Sequence, residues 1–259
     1  MKTLQLNDEK YLLPGNWNEL TTEQQLFLIK LVGKNLSAEE IKLKMFLNIL
    51  NANVHSYNDT DSEMRFIVKI GKLKYDFSAE EIYCITTIFN YLFITDKETG
   101  TRSISPMLTK NPFPILKVKG KKLQGAGEGL HDITYEQFIL LMTYFSQIQE
   151  QPESVNDFIA VLYRKPAEPK LFNKLSPEIK TALIWYYLGS TAFMAEKFPR
   201  TFSGTGTSSG RTVFENQMRV VDTLANNDLT KKQIVKNALL YDALFTLEIA
   251  AENSENLKK

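Results

Sequence analysis

Two histidines, His55 and His131, and one cysteine, Cys84, are all the imidazole and thiol that this 259-residue chain offers to a metal or a nucleophilic reaction. A zinc or nonheme iron site needs three or four His, Cys or carboxylate ligands at fixed spacing. Each histidine instead stands alone in a polar connector and reads as an exposed loop residue. Cys84 lies in the apolar run IYCITTIFNYLF, which marks it as a buried, inert thiol, and being single it closes no intramolecular disulfide. No metal, cofactor or catalytic residue is expected.

Two other stretches invite a chemical reading. In SGTGTSSGR, Ser203 to Arg211, the glycines Gly204, Gly206 and Gly210 could present amides to a phosphate at the start of the next helix. No strand precedes it and no Gly-Lys-Ser/Thr ends it, so it reads as a linker with Arg200 and Arg211 as solvating cations. In KVKGKK, Lys117, Lys119, Lys121 and Lys122 gather on a candidate hairpin that pivots at Gly120-Lys121. A cationic ribbon can contact a nucleic-acid backbone. It lacks interleaved aromatics for base stacking, and lysines guarding a strand edge against aggregation explain it as well. The acidic residues Glu39-Glu40, Glu80-Glu81 and Asp157 fall at helix starts, where negative charge complements the helix dipole. The aromatic cluster Ile184 to Phe193 has helical spacing and belongs to a core.

The elements that hold these residues announce themselves by their caps. Glu19 to Gln24 reads ELTTEQ, Asp132 to Gln137 reads DITYEQ and Asp228 to Gln233 reads DLTKKQ. Ser or Thr followed three residues later by Glu or Gln is a capping box, so Thr21-Gln24, Thr134-Gln137 and Thr230-Gln233 are each read as opening a helix. Ser37-Glu40 and Ser78-Glu81 follow the same rule. An apolar residue before the cap should meet another at the fourth helical position. Leu36-Ile41, Phe77-Ile82, Ile133-Phe138 and Leu229-Ile234 obey this; Leu20 faces Gln25 and does not.

These starts predict a mainly α fold, a multi-helix domain with one or two small β-hairpin excursions. Residues 1–94 form an N-terminal helical region with a hairpin at about 66–77, turning at Gly71-Lys72. Residues 95–129 are a Gly/Pro/Lys-rich excursion with little apolar surface to bury. Residues 130–259 form a C-terminal helical region, with a buried helix from Pro177 to Lys197 and two long helices over Val213–Leu224 and Lys231–Glu252.

Lys plus Arg (31) nearly cancels Asp plus Glu (30), and apolar residues make up 43%. The balance argues against bulk nucleic acid or an anionic membrane as the main partner. The N-terminus has no apolar signal core and no run approaches the length of a membrane span, so a cytoplasmic protein is expected.

The opening LPGNWNELTTEQQLFLIKLV and the ending LANNDLTKKQIVKNALLYDALFTLEIAAEN, about a fifth of the chain, resemble segments of phage and prophage tail assembly chaperones, especially those of Bacteroides-like hosts. The resemblance implies a noncatalytic helical protein of the host cytoplasm that binds the tape-measure protein and helps tail-tube subunits polymerise around it. Some such proteins occur in a short and a frameshifted longer form. The family has no catalytic residues to carry over, and this chain departs from its simplest members in length and in the Lys-rich and Gly-rich stretches. Two alternatives stand beside it: a virion structural or connector protein, and a nucleic-acid-binding regulator that uses the four lysines.

Overall fold

Leu4 and Leu6 alternate with Thr3 and Gln5, Tyr11 and Leu13 flank the exposed Leu12, and Asn7 between the two stretches takes the left-handed conformation (φ 53°). The result is an antiparallel hairpin of β1 (Lys2–Leu6) and β2 (Glu9–Leu13), with Leu6 paired to Glu9. The structure is a computed structural model that describes residues 1–60, 63–163, 168–203 and 212–256. It divides into two compact units, Met1–Pro106 and Met107–Lys259.

In the first unit Trp17 is buried and its indole N–H donates to the Tyr91 carbonyl at 3.1 Å. Helices α1 (Thr22–Val32) and α2 (Ala38–Ile49) follow, each opened by its capping box, Thr21-Gln24 and Ser37-Glu40. A three-stranded antiparallel meander comes next: β3 (Ala52–Thr60), β4 (Glu63–Ile70) and β5 (Leu73–Ser78), in that order. The Ser78-Glu81 box starts α3 (Ala79–Thr86), a 3-10 helix runs from Thr87 to Leu92, and β6 (Phe93–Thr95) pairs with β7 (Arg102–Ile104). Fully buried Leu28, Met45, Phe46, Val68 and Phe89 form the core. Each such side chain contributes roughly 1.5–3 kcal/mol.

In the second unit β8 (Ile115–Val118) and β9 (Lys121–Gln124) form a short ribbon, followed by α4 (Tyr135–Gln147), α5 (Ser154–Leu162) and α6 (Pro177–Lys197). Ser176 caps α6 and Pro177 supplies the fixed φ of its first position. Its 21 residues span roughly 30 Å, and Leu183, Tyr186 and Met194 are fully buried. At Gly189 the extended chain at Leu108 lies so close that a Cβ would stand 2.2 Å from the Leu108 nitrogen. Only glycine fits there. Then come α7 (Pro199–Phe202), α8 (Val213–Leu224), a 3-10 turn at Leu229–Lys231, α9 (Lys232–Asn237) and α10 (Leu240–Asn256).

The fold is mixed α/β, 56% helix and 19% strand, and not mainly α with one or two hairpins. Four small sheets are present among the described residues. The reason is chemical: KTLQL and EKYLL mix Lys, Gln and Glu with their apolar residues, and β3 (ANVHSYNDT) is largely polar, so their strand signal is weak. The hairpin expected at 66–77 exists as β4 and β5, but β3 makes it a three-stranded sheet.

The stretch 95–129 is shared between the two units, and its second part is not short of apolar burial. Leu108, Leu116, Val118 and Ala126 are all buried. Hydrogen bonds bind this strap down, from Gly129 N to the Thr109 carbonyl (2.8 Å), Asn111 Nδ2 to the Ala126 carbonyl (3.0 Å) and Tyr241 OH to the Gly129 carbonyl (3.0 Å). Cys84 is exposed rather than buried, because α3 buries Ile82 and Thr86, four apart, and turns Cys84 away.

The box at Thr230-Gln233 does not form. Asp228 caps a 3-10 turn there, its Oδ1 accepting from Thr230 N at 2.9 Å, and α9 starts at Lys232 with no side-chain cap. The long helix expected over Lys231–Glu252 is broken at Ala238-Leu239, where the chain pairs with the start of α4: Tyr135 N donates to the Ala238 carbonyl and Leu240 N to that of Ile133, each at 2.9 Å. A further box, Thr212-Glu215, opens α8.

Candidate partner-binding groove

Pro199 restarts the chain as the single turn α7, whose first amides need acceptors. Glu248 of α10 supplies them: its carboxylate accepts from Arg200 N (3.1 Å), Thr201 N (2.8 Å) and Thr201 Oγ1 (2.9 Å). Partial burial works against charge on Glu248, but these donors and the Arg200 guanidinium outweigh it and hold the carboxyl below its ordinary range. Arg200 also reaches Glu255 at 3.1 Å and Glu252 at 3.8 Å. The turn is thereby clasped to one side of α10.

On another side Tyr135 of α4 is buried and its hydroxyl donates to Gln217 Oε1 of α8 at 3.0 Å. Burial raises the Tyr135 pKa and keeps the phenol neutral. Between α4, α7, α8 and α10 an open groove of about 510 Å³ remains, lined by Phe138, Met142, Val220, Leu244 and Leu247 among others. Ala250, Ala251 and Ser254 present small side chains to it, and so leave room where larger residues would close it. Beyond the groove, Phe245 and Ile249, one turn apart on α10, are 61% and 42% exposed.

The polar groups at the margin are committed to one another: Thr201 to Glu248, and Arg200 to three carboxylates. What the arrangement offers is apolar area with a charged rim. That chemistry suits binding of another apolar surface.

The first unit has a smaller cavity of about 270 Å³ lined by Leu43, Leu47, Phe66, Val68, Ile82 and Tyr83, among others. Lys42, on the buried side of α2, is 1% exposed, with Nζ 3.1 Å from Asn90 Oδ1, 3.3 Å from Glu39 and over the Tyr83 ring. Glu39 also holds Arg102 at 2.5 Å. Both cations of this cluster thus share the one carboxylate of Glu39, and Asn90 and the Tyr83 ring complete the surroundings of Lys42.

The residues singled out from the sequence are scattered. His55 lies in β3 at the register shift between Val54 and Ser56, so it is an exposed strand residue and not a loop residue. His131 is exposed in the second unit, with Nδ1 2.8 Å from the Glu128 carbonyl. Among the described residues no three His, Cys, Asp or Glu side chains converge as a metal site. Lys117, Lys119, Lys121 and Lys122 are exposed on the β8–β9 ribbon. Gly204, Gly206, Gly210 and Arg211 lie outside the described residues.

Arg200, read as a solvating cation, is instead the clasp between α7 and α10. The groove had one legible signal, the small side chains Ala250, Ala251 and Ser254 on the face that also carries Leu244 and Leu247. No helix among the described residues is long and apolar enough to cross a membrane. The chain matches no family model, no curated protein and no solved structure.

Proposed function

We propose that this chain is a noncatalytic binding protein of the host cytoplasm that acts in phage tail assembly, holding an elongated helical client, the tape-measure protein, in the groove of its second unit. The tail-tube subunit is the second partner. The observation that carries this reading is the open apolar groove bounded by α10, with Phe245 and Ile249 exposed on the same helix. An amphipathic helix seats its apolar face in such a groove through anchors at helical spacing. Arg200 is one cation against three carboxylates, so Glu252 and Glu255, both more than half exposed beside the groove, leave excess negative charge that favours a client helix with basic residues flanking its apolar stripe. The resemblance at the two ends of the chain supports the identity of the client.

Co-expression and affinity capture test the proposal, with the protein encoded next to it and a tube subunit as separate baits. Capture of a helix-rich tape-measure protein, together with absence of this chain from purified particles, is expected. Failure to capture either bait, with this chain recovered from mature particles in stoichiometric amounts, would replace the chaperone by a structural component.

A further inference from the structure

The β8–β9 ribbon carries its lysines in a manner that its own stability does not explain. Lys117 and Lys122 are direct cross-strand partners, and like charges in that position repel. All four lysines are exposed, and none forms an ion pair with a carboxylate among the described residues. At the tip, Lys119 and Gly120 both have positive φ (47° and 76°), the signature of a two-residue turn in which Asn-Gly is the favoured pair. Elsewhere the chain follows that preference: of seven non-glycine residues described at positive φ, five are asparagine. Lys119 thus holds a strained position of the kind that, at the other non-glycine sites, this chain gives to Asn everywhere but Leu130. Guarding the strand edges accounts for the presence of a lysine in each strand, but not for placing Lys122 directly opposite Lys117, for a second lysine in β9, or for a lysine at the strained tip.

The ribbon is also fixed in place. Leu116 and Val118 on its inner face are buried, and Gly125 N closes its base on the Pro114 carbonyl at 2.9 Å. The outer face, Ile115, Lys117, Lys122 and Gln124, is held towards solvent with its charges uncompensated.

We propose that this ribbon is a binding site for the phosphate backbone of duplex nucleic acid, read without regard to sequence. Lysine is a point-charge partner for phosphate, whereas protein interfaces are depleted in lysine and enriched in arginine and aromatics, and the ribbon has neither. Without an aromatic platform a single strand gains no stacking, so the duplex is the better ligand. The near-neutral whole chain confines this attraction to one patch and makes it weak and salt-sensitive.

The test is fluorescence anisotropy of the full chain with a short labelled DNA duplex across a salt series. Up to four phosphate contacts give a log–log salt slope no steeper than about −3.6, at roughly −0.9 for each contact. Lys117→Gln should flatten the slope by about 1 whatever the base sequence, and Lys117→Arg should retain it. Lys119→Asn separates ligand binding from folding: it should raise the melting temperature by relieving the turn while weakening the duplex. No duplex binding at low salt, or binding unchanged when all four lysines become Gln in a variant with native circular dichroism, overturns the proposal. So does tighter binding of poly-glutamate of equal charge, which would assign the ribbon to an acidic protein segment.

Discussion

The same phrase, acidic-aliphatic-Thr-two residues-Gln, occurs at the start of α4 and again at Asp228 to Gln233, and the two copies fold differently. At α4 the Thr134 hydroxyl accepts from Gln137 N at 3.2 Å and Gln137 Oε1 accepts from Thr134 N at 2.9 Å. The flanking Ile133 and Phe138 are 0% and 3% exposed. At the second copy Asp228 captures the Thr230 amide and hydroxyl, the turn tightens to 3-10, and Leu229 and Ile234 are 76% and 70% exposed. The hydrogen-bonding groups are equivalent. What differs is whether a core stands ready to receive the apolar pair: the cap is local chemistry, but burial selects which cap forms.

The largest effect that should separate the two copies is apolar. Phe138→Ala should cost about 3–5 kcal/mol of unfolding free energy, and Ile234→Ala should stay within about 0.5 kcal/mol of the parent protein. Urea melts of both variants decide it, and comparable losses would mean that the second copy is packed after all. The caps come next. Thr134→Ala should lower stability by roughly 0.5–2 kcal/mol, while Thr230→Ala should do less, since the Asp228 carboxylate still holds the Thr230 amide. A loss at Thr230 as large as at Thr134 would restore it as a helix cap.

The smallest contrast is in pH. The Thr230 hydroxyl and amide, bonded to the Asp228 carboxylate, hold its pKa below the ordinary value, outweighing desolvation. A carboxyl depressed by folding adds stability that is fully present above its unfolded pKa, near 3.9, and lost as pH falls through the folded one. Gln137 at the other copy has nothing to titrate. Amide hydrogen exchange followed from about pH 6 to about pH 3, corrected for intrinsic rates, should show the Thr230 amide losing protection while that of Gln137 keeps it. Asp228→Asn should abolish the difference, and equal behaviour in the parent protein would contradict the assignment.

The contrast also marks how far the sequence could be read. Helix starts were legible at Thr21, Ser37, Ser78, Thr134 and Ser176, because a cap is decided within four residues. The break at Ala238-Leu239 was not, because it depends on pairing with Ile133 to Tyr135, about a hundred residues earlier. Strands such as β6 and β7, three residues each, hold too little pattern to be seen before their partner is known. The lysines of the ribbon were visible as charge, and their facing register was not. The groove was the least legible feature, since Phe138, Val220 and Leu247 meet only when α4, α8 and α10 are assembled.

That assembled groove is the centre of the functional account, and one substitution addresses it. Leu247 lines the groove and is partly exposed, so Leu247→Asp places a charge in the binding surface without opening a cavity in the core. Tyr57, 68% exposed in the first unit, serves as the control site. In titration calorimetry with a purified helical segment of the tape-measure protein, Leu247→Asp should weaken binding at least tenfold, about 1.4 kcal/mol, while Tyr57→Asp leaves it unchanged. Equal affinity of the parent protein and a folded Leu247→Asp variant, or no binding of the segment by the parent protein, would contradict the claim that this groove holds the client.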